Sequence, residues 1–156
     1  MSGFFRGLIH SAAFKPRPLG RVKNMPLSVS ILSKPRSLDR GVEGLINDPK
    51  YFGRLNDPDA SAYLQGPCGD SMEFYLIING NRIDTAHYYT EGCYATRACA
   101  AMVAKLAYKK TIREALRISA GDVTQKLKGL PESHLHCSIL AVSTLYRAIA
   151  DYLLRL

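Results

Sequence analysis

The spacing of apolar and polar positions divides the chain into two regimes. In SMEFYLII (71–78) and RIDTAHYYT (82–90) aromatic and β-branched residues recur two apart, which predicts two strands. Asn79-Gly80-Asn81 separates them, and because Gly and Asn tolerate positive φ the pair reads as a hairpin. SAYLQG (61–66) adds a candidate edge strand, making three. From Cys93 the period becomes helical: Ala95, Ala98, Cys99, Met102, Val103 and Leu106 share one stripe, while Arg97, Lys105 and Lys109 lie off it. Thr111 and Glu114 are spaced as a capping box that opens a second helix near 112–118. A short helix follows around 121–128 and ends near Gly129, and Pro131 halts regular structure. A last helix is expected from about Cys137 to Arg155, with Ile139, Val142, Tyr146, Ile149 and Leu153 inward. Residues 38–60 carry Asp-Pro and Gly punctuation and read as a short helix followed by turns. Strands first and helices after predict an α+β domain, with helices packed on one face of a small three-stranded antiparallel sheet.

Length and charge refine this picture. A chain of 156 residues suits one domain with some chain left over, here a domain over 38–156 and an extension over 1–37. The net charge of +8 is concentrated in the extension: residues 1–40 hold eight of the 21 basic residues and one of the 13 acidic ones, leaving thirteen against twelve in the rest. The domain is close to neutral and shows no basic stripe with interleaved aromatics, so nucleic acid is not an expected partner. No apolar run approaches the roughly 18 residues that cross a bilayer, and stable membrane association is not expected. The extension is rich in Pro, Ser, Arg and Lys. Phe4, Phe5, Leu8, Ile9, Ala12 and Ala13 would line one side of a short helix, as in a transit or membrane-touching segment, and a poorly ordered basic tail fits the composition equally well. The expected location is the cytoplasm, or an organellar matrix if the basic N-terminus is removed on import. His10 lies in this tail and says little.

Four cysteines, Cys68, Cys93, Cys99 and Cys137, stand far apart without a recognisable secretory signal, which argues for reduced thiols rather than a disulfide framework. Three occupy the junctions of predicted elements: Cys68 before the hairpin, Cys93 between strand and helix, Cys137 at the start of the last helix. Loop ends held by a rigid scaffold are where chemistry tends to sit. Cys93 and Cys137 lie near helix N-termini, where free backbone N–H groups and the helix dipole favour a thiolate. Gly69 allows a tight turn that aims Cys68 and Asp70 into one space, offering a soft and a hard ligand. With His136 beside Cys137 and His134 two residues earlier, three thiolates plus a carboxylate or imidazole make a tetrahedral donor set for zinc or an iron-sulfur cluster. A mixed set weakens the sulfur cage, which suits a site that must release its contents. On spacing alone other readings stay open: unrelated core cysteines, a cysteine-dependent enzyme with Cys137 as nucleophile, His136 or His134 as base and Asp70 as orienter, or a zinc ion that only holds the fold. Cys99 falls in the apolar stripe and reads as core, and His87, within a strand, as a structural or surface histidine.

At these residues the chain resembles the IscU/NifU-type iron-sulfur cluster assembly scaffold family. The motifs are Cys68-Gly69-Asp70 before a strand, Gly92-Cys93 after the hairpin, and His136-Cys137-Ser138-Ile139-Leu140-Ala141 at the last helix. DPKYFGRLNDPDA, IDTAHYYTEGC and AIADY add lesser matches, so that the likeness covers roughly residues 45–155. The resemblance implies a non-enzymatic scaffold on which a transient [2Fe-2S] cluster is built from iron and from sulfur supplied by a cysteine desulfurase, then passed to acceptor proteins. It implies Cys68, Cys93 and Cys137 as cluster thiolates, Asp70 and His136 sharing the remaining position, Cys137 as the receiver of sulfur, and zinc as an occupant of the cluster-free site. Adjacent residues of a regular helix point apart, so His136 and Cys137 are expected to exchange rather than to face one centre together. The family's Leu-Pro-Pro-Val-Lys stretch, read by an Hsp70-type chaperone, is here Leu130-Pro131-Glu132-Ser133-His134, a departure that weighs against chaperone recognition.

Overall fold

The computed structural model describes residues 40–128 and 130–156. The basic extension over 1–37 lies outside the described residues, as does Gly129. In chain order the elements are α1 (Arg40–Ile46), β1 (Ala60–Gln65), β2 (Ser71–Asn79), β3 (Arg82–Tyr89), α2 (Tyr94–Ala107), α3 (Ile112–Ala115), α4 (Ala120–Leu127) and α5 (Leu135–Leu153). A single 3₁₀ turn, Glu132–His134, leads into α5.

The three strands form one antiparallel sheet in the order β1-β2-β3. Alternation decides its two faces. Met72, Phe74, Leu76 and Ile78 of β2 are buried, and opposite them on β3 stand Tyr88, Ala86 and Ile83, also buried. A bulge makes this register possible: Ile77 pairs with Thr85 and Ile78 with Ile83, so Asp84 has no partner and both Ile83 and Ala86 face the core. The two-residue turn Gly80-Asn81 closes the hairpin where the sequence places it.

The other face is polar. Arg54 grips Glu73 through two bonds of 2.8 Å, Tyr75 donates its hydroxyl to the same carboxylate, and the Arg54 guanidinium lies 3.8 Å from the Tyr89 ring centre. His87 is half-buried on this face, where burial lowers its pKa, and it takes no part in the cysteine cluster.

Helices α2 and α5 cover the apolar face and pack on each other. Ala95, Ala98, Ala100, Ala101, Ala104 and Ala107 are buried around α2, so the helix sinks among its neighbours on nearly all sides, the usual fate of a helix apolar all round. Met102 and Leu106, expected inward, are only partly buried. On α5 Val142 and Ile149, expected inward, are buried and Tyr146 is partly so, beside Cys137, Ala141, Thr144, Leu145 and Ala148, whereas Ile139 is 57% and Leu153 46% exposed. The inward face thus keeps the middle of the expected stripe and departs from it at both ends. Its small residues carry little hydropathy, and the bulkier Ile139 and Leu153 drew the reading away. The Thr111–Glu114 capping box is present, and a second, Ser119–Asp122, opens α4.

Tyr88 ties α1 to the sheet. Its side chain is fully buried and its hydroxyl donates to the Ile46 carbonyl at 2.7 Å. Tyr88→Phe removes that donor and leaves the carbonyl unpaired, so the substitution is expected to cost about 1–3 kcal/mol. Urea unfolding should show a lower midpoint with an unchanged slope.

Candidate metal centre

The site lies where the β1–β2 turn, the start of α2 and the start of α5 meet. Gln65 and Ser71 are paired, and the five residues between them form a tight loop: Gly66 N–H donates to the Asp70 carbonyl at 2.8 Å and Gly69 N–H to the Gly66 carbonyl at 3.0 Å. Gly69 sits at φ +89°, a conformation that L side chains rarely adopt, so the turn requires glycine there. Cys68 stands exposed on this loop, while Asp70, at the mouth of β2, is half-buried.

Cys93 is the N-cap of α2, with extended backbone (φ −62°, ψ 170°). Its N–H is among those a helix start leaves without a helical partner, and it donates to Asp70 Oδ2 at 3.2 Å. The approach to this helix is fixed by Thr90, whose hydroxyl donates to the Ser71 carbonyl at 2.5 Å and accepts from Gly92 N–H at 3.0 Å. Gly92 lets the chain pass close to the site: a Cβ there would stand 2.8 Å from Thr96 Cγ2 and 2.9 Å from the Asp70 carboxylate carbon. Cys137 occupies the first turn of α5 and is fully buried.

One ligand atom from each of Asp70, Cys93 and Cys137 lies within 4.8 Å of the others. The fold thus joins three of the five predicted ligands, drawn from positions 23 and 44 residues apart in the chain. Cys68 lies on the adjoining turn, outside this three-way cluster. His136 is also outside it, but its Nε2 comes within 3.5 Å of Cys137 Sγ. That corrects the expectation that the two side chains diverge: the imidazole is long enough to fold back across the helix start. The His134 and His136 rings stack with centres 6.3 Å apart, and Ser133 Oγ is 2.9 Å from His134 Nδ1. Cys137 is expected at the start of the last helix. It lies there, in the first turn of α5.

The electrostatics suit metal capture. Cys93 and Cys137 share a hydrogen bond between sulfurs, which draws the Cys93 thiol down to about 5 against the burial that pushes it up. The same bond, with burial, pushes Cys137 strongly upward. The pair therefore gives up one proton readily and holds the second tightly. Burial alone would raise the Asp70 carboxyl, but bonds from the Thr96 hydroxyl and the Cys93 N–H carry it below its ordinary value. At neutral pH the cluster offers a carboxylate and a thiolate, with a second sulfur that ionises when a cation compensates its charge. Cys99, read as core, is core: it is fully buried, and burial pushes its thiol up to about 12.

Thr96 was not singled out from the sequence. It follows Cys93 by three residues, a helical spacing that places both on one side of α2, and its hydroxyl lies 2.5 Å from Asp70 Oδ2, 3.2 Å from Cys137 Sγ and 3.4 Å from Cys93 Sγ.

The chain is similar to known proteins over most of its described length. Residues 40–156 match the model of the NifU-like N-terminal domain. The iron-sulfur cluster assembly scaffold protein IscU 1 of Archaeoglobus fulgidus is 41% identical over 106 residues, 67% of this chain and 69% of that protein. The IscU scaffold protein of Escherichia coli K12 is 34% identical over 110 residues, 67% of this chain and 85% of that protein. Among solved structures, the N-terminal part of a NifU-like protein from Brucella abortus shares the fold with a TM-score of 0.57 at 15% identity, over 76% of this chain and 95% of the other. With a family match spanning most of its length and relatives of this identity, the chain belongs to the NifU-like N-terminal domain family.

Proposed function

We propose that this protein is a scaffold on which an iron-sulfur cluster, of the [2Fe-2S] type, is assembled from iron and from sulfur supplied by a cysteine desulfurase, and from which it passes to acceptor proteins. The convergence of Asp70, Cys93 and Cys137 carries this reading. Two sulfurs and one carboxylate form a partial cage: soft donors that bind iron and sulfide well, and a hard donor that is more easily displaced. Cys68, exposed on the turn that carries Asp70, supplies a third thiolate from the accessible side. His136, already against Cys137, supplies the alternative to Asp70. Without a cluster, the same donors form a tetrahedron that suits zinc. Because Cys137 is fully buried, sulfur reaches it only after the turn over 66–70 or the first turn of α5 moves aside.

The chain is tested by anaerobic incubation with ferrous iron, a cysteine desulfurase, cysteine and excess dithiothreitol, whose thiols reduce the persulfide sulfur released by the desulfurase to sulfide. Sulfur-to-iron charge-transfer absorption should develop, with iron and acid-labile sulfide in equal amounts, and should migrate to an apo-ferredoxin added afterwards. If no such absorption develops while the desulfurase turns over, the reading is wrong. The 3.5 Å contact between His136 and Cys137 supports a second reading, a cysteine nucleophile with its base. That reading makes Cys93 dispensable, and it must also account for a nucleophile sealed from substrate.

A further inference from the structure

Threonines inside helices commonly turn their hydroxyls back to the carbonyl four residues earlier. Thr124 and Thr144 do so here, donating to the Ala120 and Leu140 carbonyls at 2.9 and 2.7 Å. Thr96 does not. Its side chain is fully buried in the first turn of α2, and its hydroxyl meets three groups brought from far along the chain or from the helix start: the Asp70 carboxylate, the Cys137 sulfur and the Cys93 sulfur. A hydroxyl has one proton and two lone pairs. A carboxylate accepts only, so at 2.5 Å the hydroxyl donates its proton to Asp70 Oδ2, while the same oxygen stays within 3.2 Å of the Cys137 sulfur and 3.4 Å of the Cys93 sulfur. The backbone makes room for this contact, since a Cβ at position 92 would stand 2.8 Å from Thr96 Cγ2 and 2.9 Å from Asp70 Oδ2.

From this geometry we infer that Thr96 is a positioning residue of the metal centre: its hydroxyl holds the Asp70 carboxylate turned toward Cys93 and Cys137, and so sets how tightly the site grips a cation. The inference rests on the scaffold reading of the site and assigns a role to a side chain outside the ligand set. Asp70 Oδ2 is held by two donors, the Thr96 hydroxyl and the Cys93 N–H. Without the hydroxyl one donor remains, and the carboxylate is free to swing about that single bond. Outer-sphere partners of this kind are worth about 10–100-fold in metal affinity.

The test uses the full chain, reduced and anaerobic, with cobalt(II) as the probe, titrated against a competing chelator. Thr96→Val keeps the volume and branching and removes the hydroxyl, Thr96→Ala removes both, and Thr96→Ser keeps the hydroxyl. Cobalt affinity is expected to fall about 10–100-fold in the Val and Ala variants and to recover in the Ser variant. The d–d bands should change in the two hydroxyl-free variants as the carboxylate leaves the ion, while the thiolate-to-cobalt charge-transfer band persists. Far-ultraviolet circular dichroism identifies any variant that loses its fold, and the remaining hydroxyl-free variant then carries the comparison. Wild-type affinity and bands in a folded hydroxyl-free variant, or a failure of serine to rescue, would overturn the inference alone. Absence of the charge-transfer band in the wild-type chain would overturn the scaffold reading and the inference with it.

Discussion

Replacing Cys93 or Cys137 with serine is expected to abolish cluster assembly, while Cys99→Ser leaves it intact. Each of the first two sulfurs lies within 4.8 Å of the other and of an Asp70 oxygen, so either change leaves the three-way group one sulfur and one carboxylate, and even with Cys68 only two of the three proposed thiolates remain to retain iron and sulfide. A serine hydroxyl does not ionise near neutral pH and is no substitute for a thiolate. The expected loss in iron retained after desalting is at least about tenfold, in line with the removal of a metal ligand being costlier than that of its outer-sphere partner. Cys68→Ser should also prevent a stable cluster, but because Cys68 lies outside the three-way group, that variant should still bind cobalt through Asp70, Cys93 and Cys137. Cys99→Ser has the opposite profile. It buries a hydroxyl in an apolar helix interface, costing about 1–3 kcal/mol of stability, and assembles the cluster as the wild type does. Parallel reconstitution of the four variants, read by visible absorption and iron content, checks all four outcomes. If Cys93→Ser assembled a normal cluster, the ligand assignment would fail and the nucleophile reading would gain.

The second large effect is a split in thiol reactivity. With the Cys93 thiol drawn down to about 5 and the Cys99 thiol pushed up to about 12, Cys93 is almost wholly thiolate at pH 7. By the same ionisation arithmetic, only about one Cys99 in 10⁵ is ionised. A lower pKa also makes each thiolate a weaker nucleophile, which over this interval returns a factor of about 10³. Cys93 is therefore expected to alkylate about 100-fold faster than Cys99 from ionisation alone, and the complete burial of Cys99 widens the gap. The sign with pH follows from a depressed value: the thiolate persists above about 5 and is lost on acidification through it, so the rate at Cys93 should hold nearly level from pH 7 to 6 and fall about tenfold per unit below the transition. Timed iodoacetamide labelling with peptide mapping by mass spectrometry gives both numbers. Zinc should protect Cys93 and leave Cys99 unchanged.

The strand and helix pattern of the domain was readable because each element obeys its own period. The alternation at 71–78 is the burial pattern of β2, and the Thr111–Glu114 pair caps α3 as its spacing indicates. The inward face of α5 was readable only in part, since beside Val142 and Ile149 it includes Cys137, Ala141, Thr144 and Ala148, small residues whose hydropathy says little. The bulge at Asp84 was equally silent, because a single extra residue alters which β3 side chains face inward without changing their composition. Of the site, the turn at Cys68-Gly69-Asp70 and the N-terminal positions of Cys93 and Cys137 followed from local signals. Which side chains meet did not. Asp70, Cys93 and Cys137 cluster, Cys68 stays at the surface, and His136 folds back on its neighbour, outcomes that depend on contacts between segments far apart in the chain. Thr96 escaped notice because a threonine in a helix carries no signal of its own. Its helical spacing from Cys93 was the available clue.

The most direct test is an anomalous-difference map, collected at the iron edge, from crystals of the full chain loaded anaerobically with iron and sulfide. Two iron peaks should lie at bonding distance from the sulfurs of Cys68, Cys93 and Cys137, with Asp70 or His136 completing the set and Thr96 beside the carboxylate without touching metal. Iron bound elsewhere, or a loaded site that leaves Cys93 or Cys137 without an iron neighbour, would contradict the assignment.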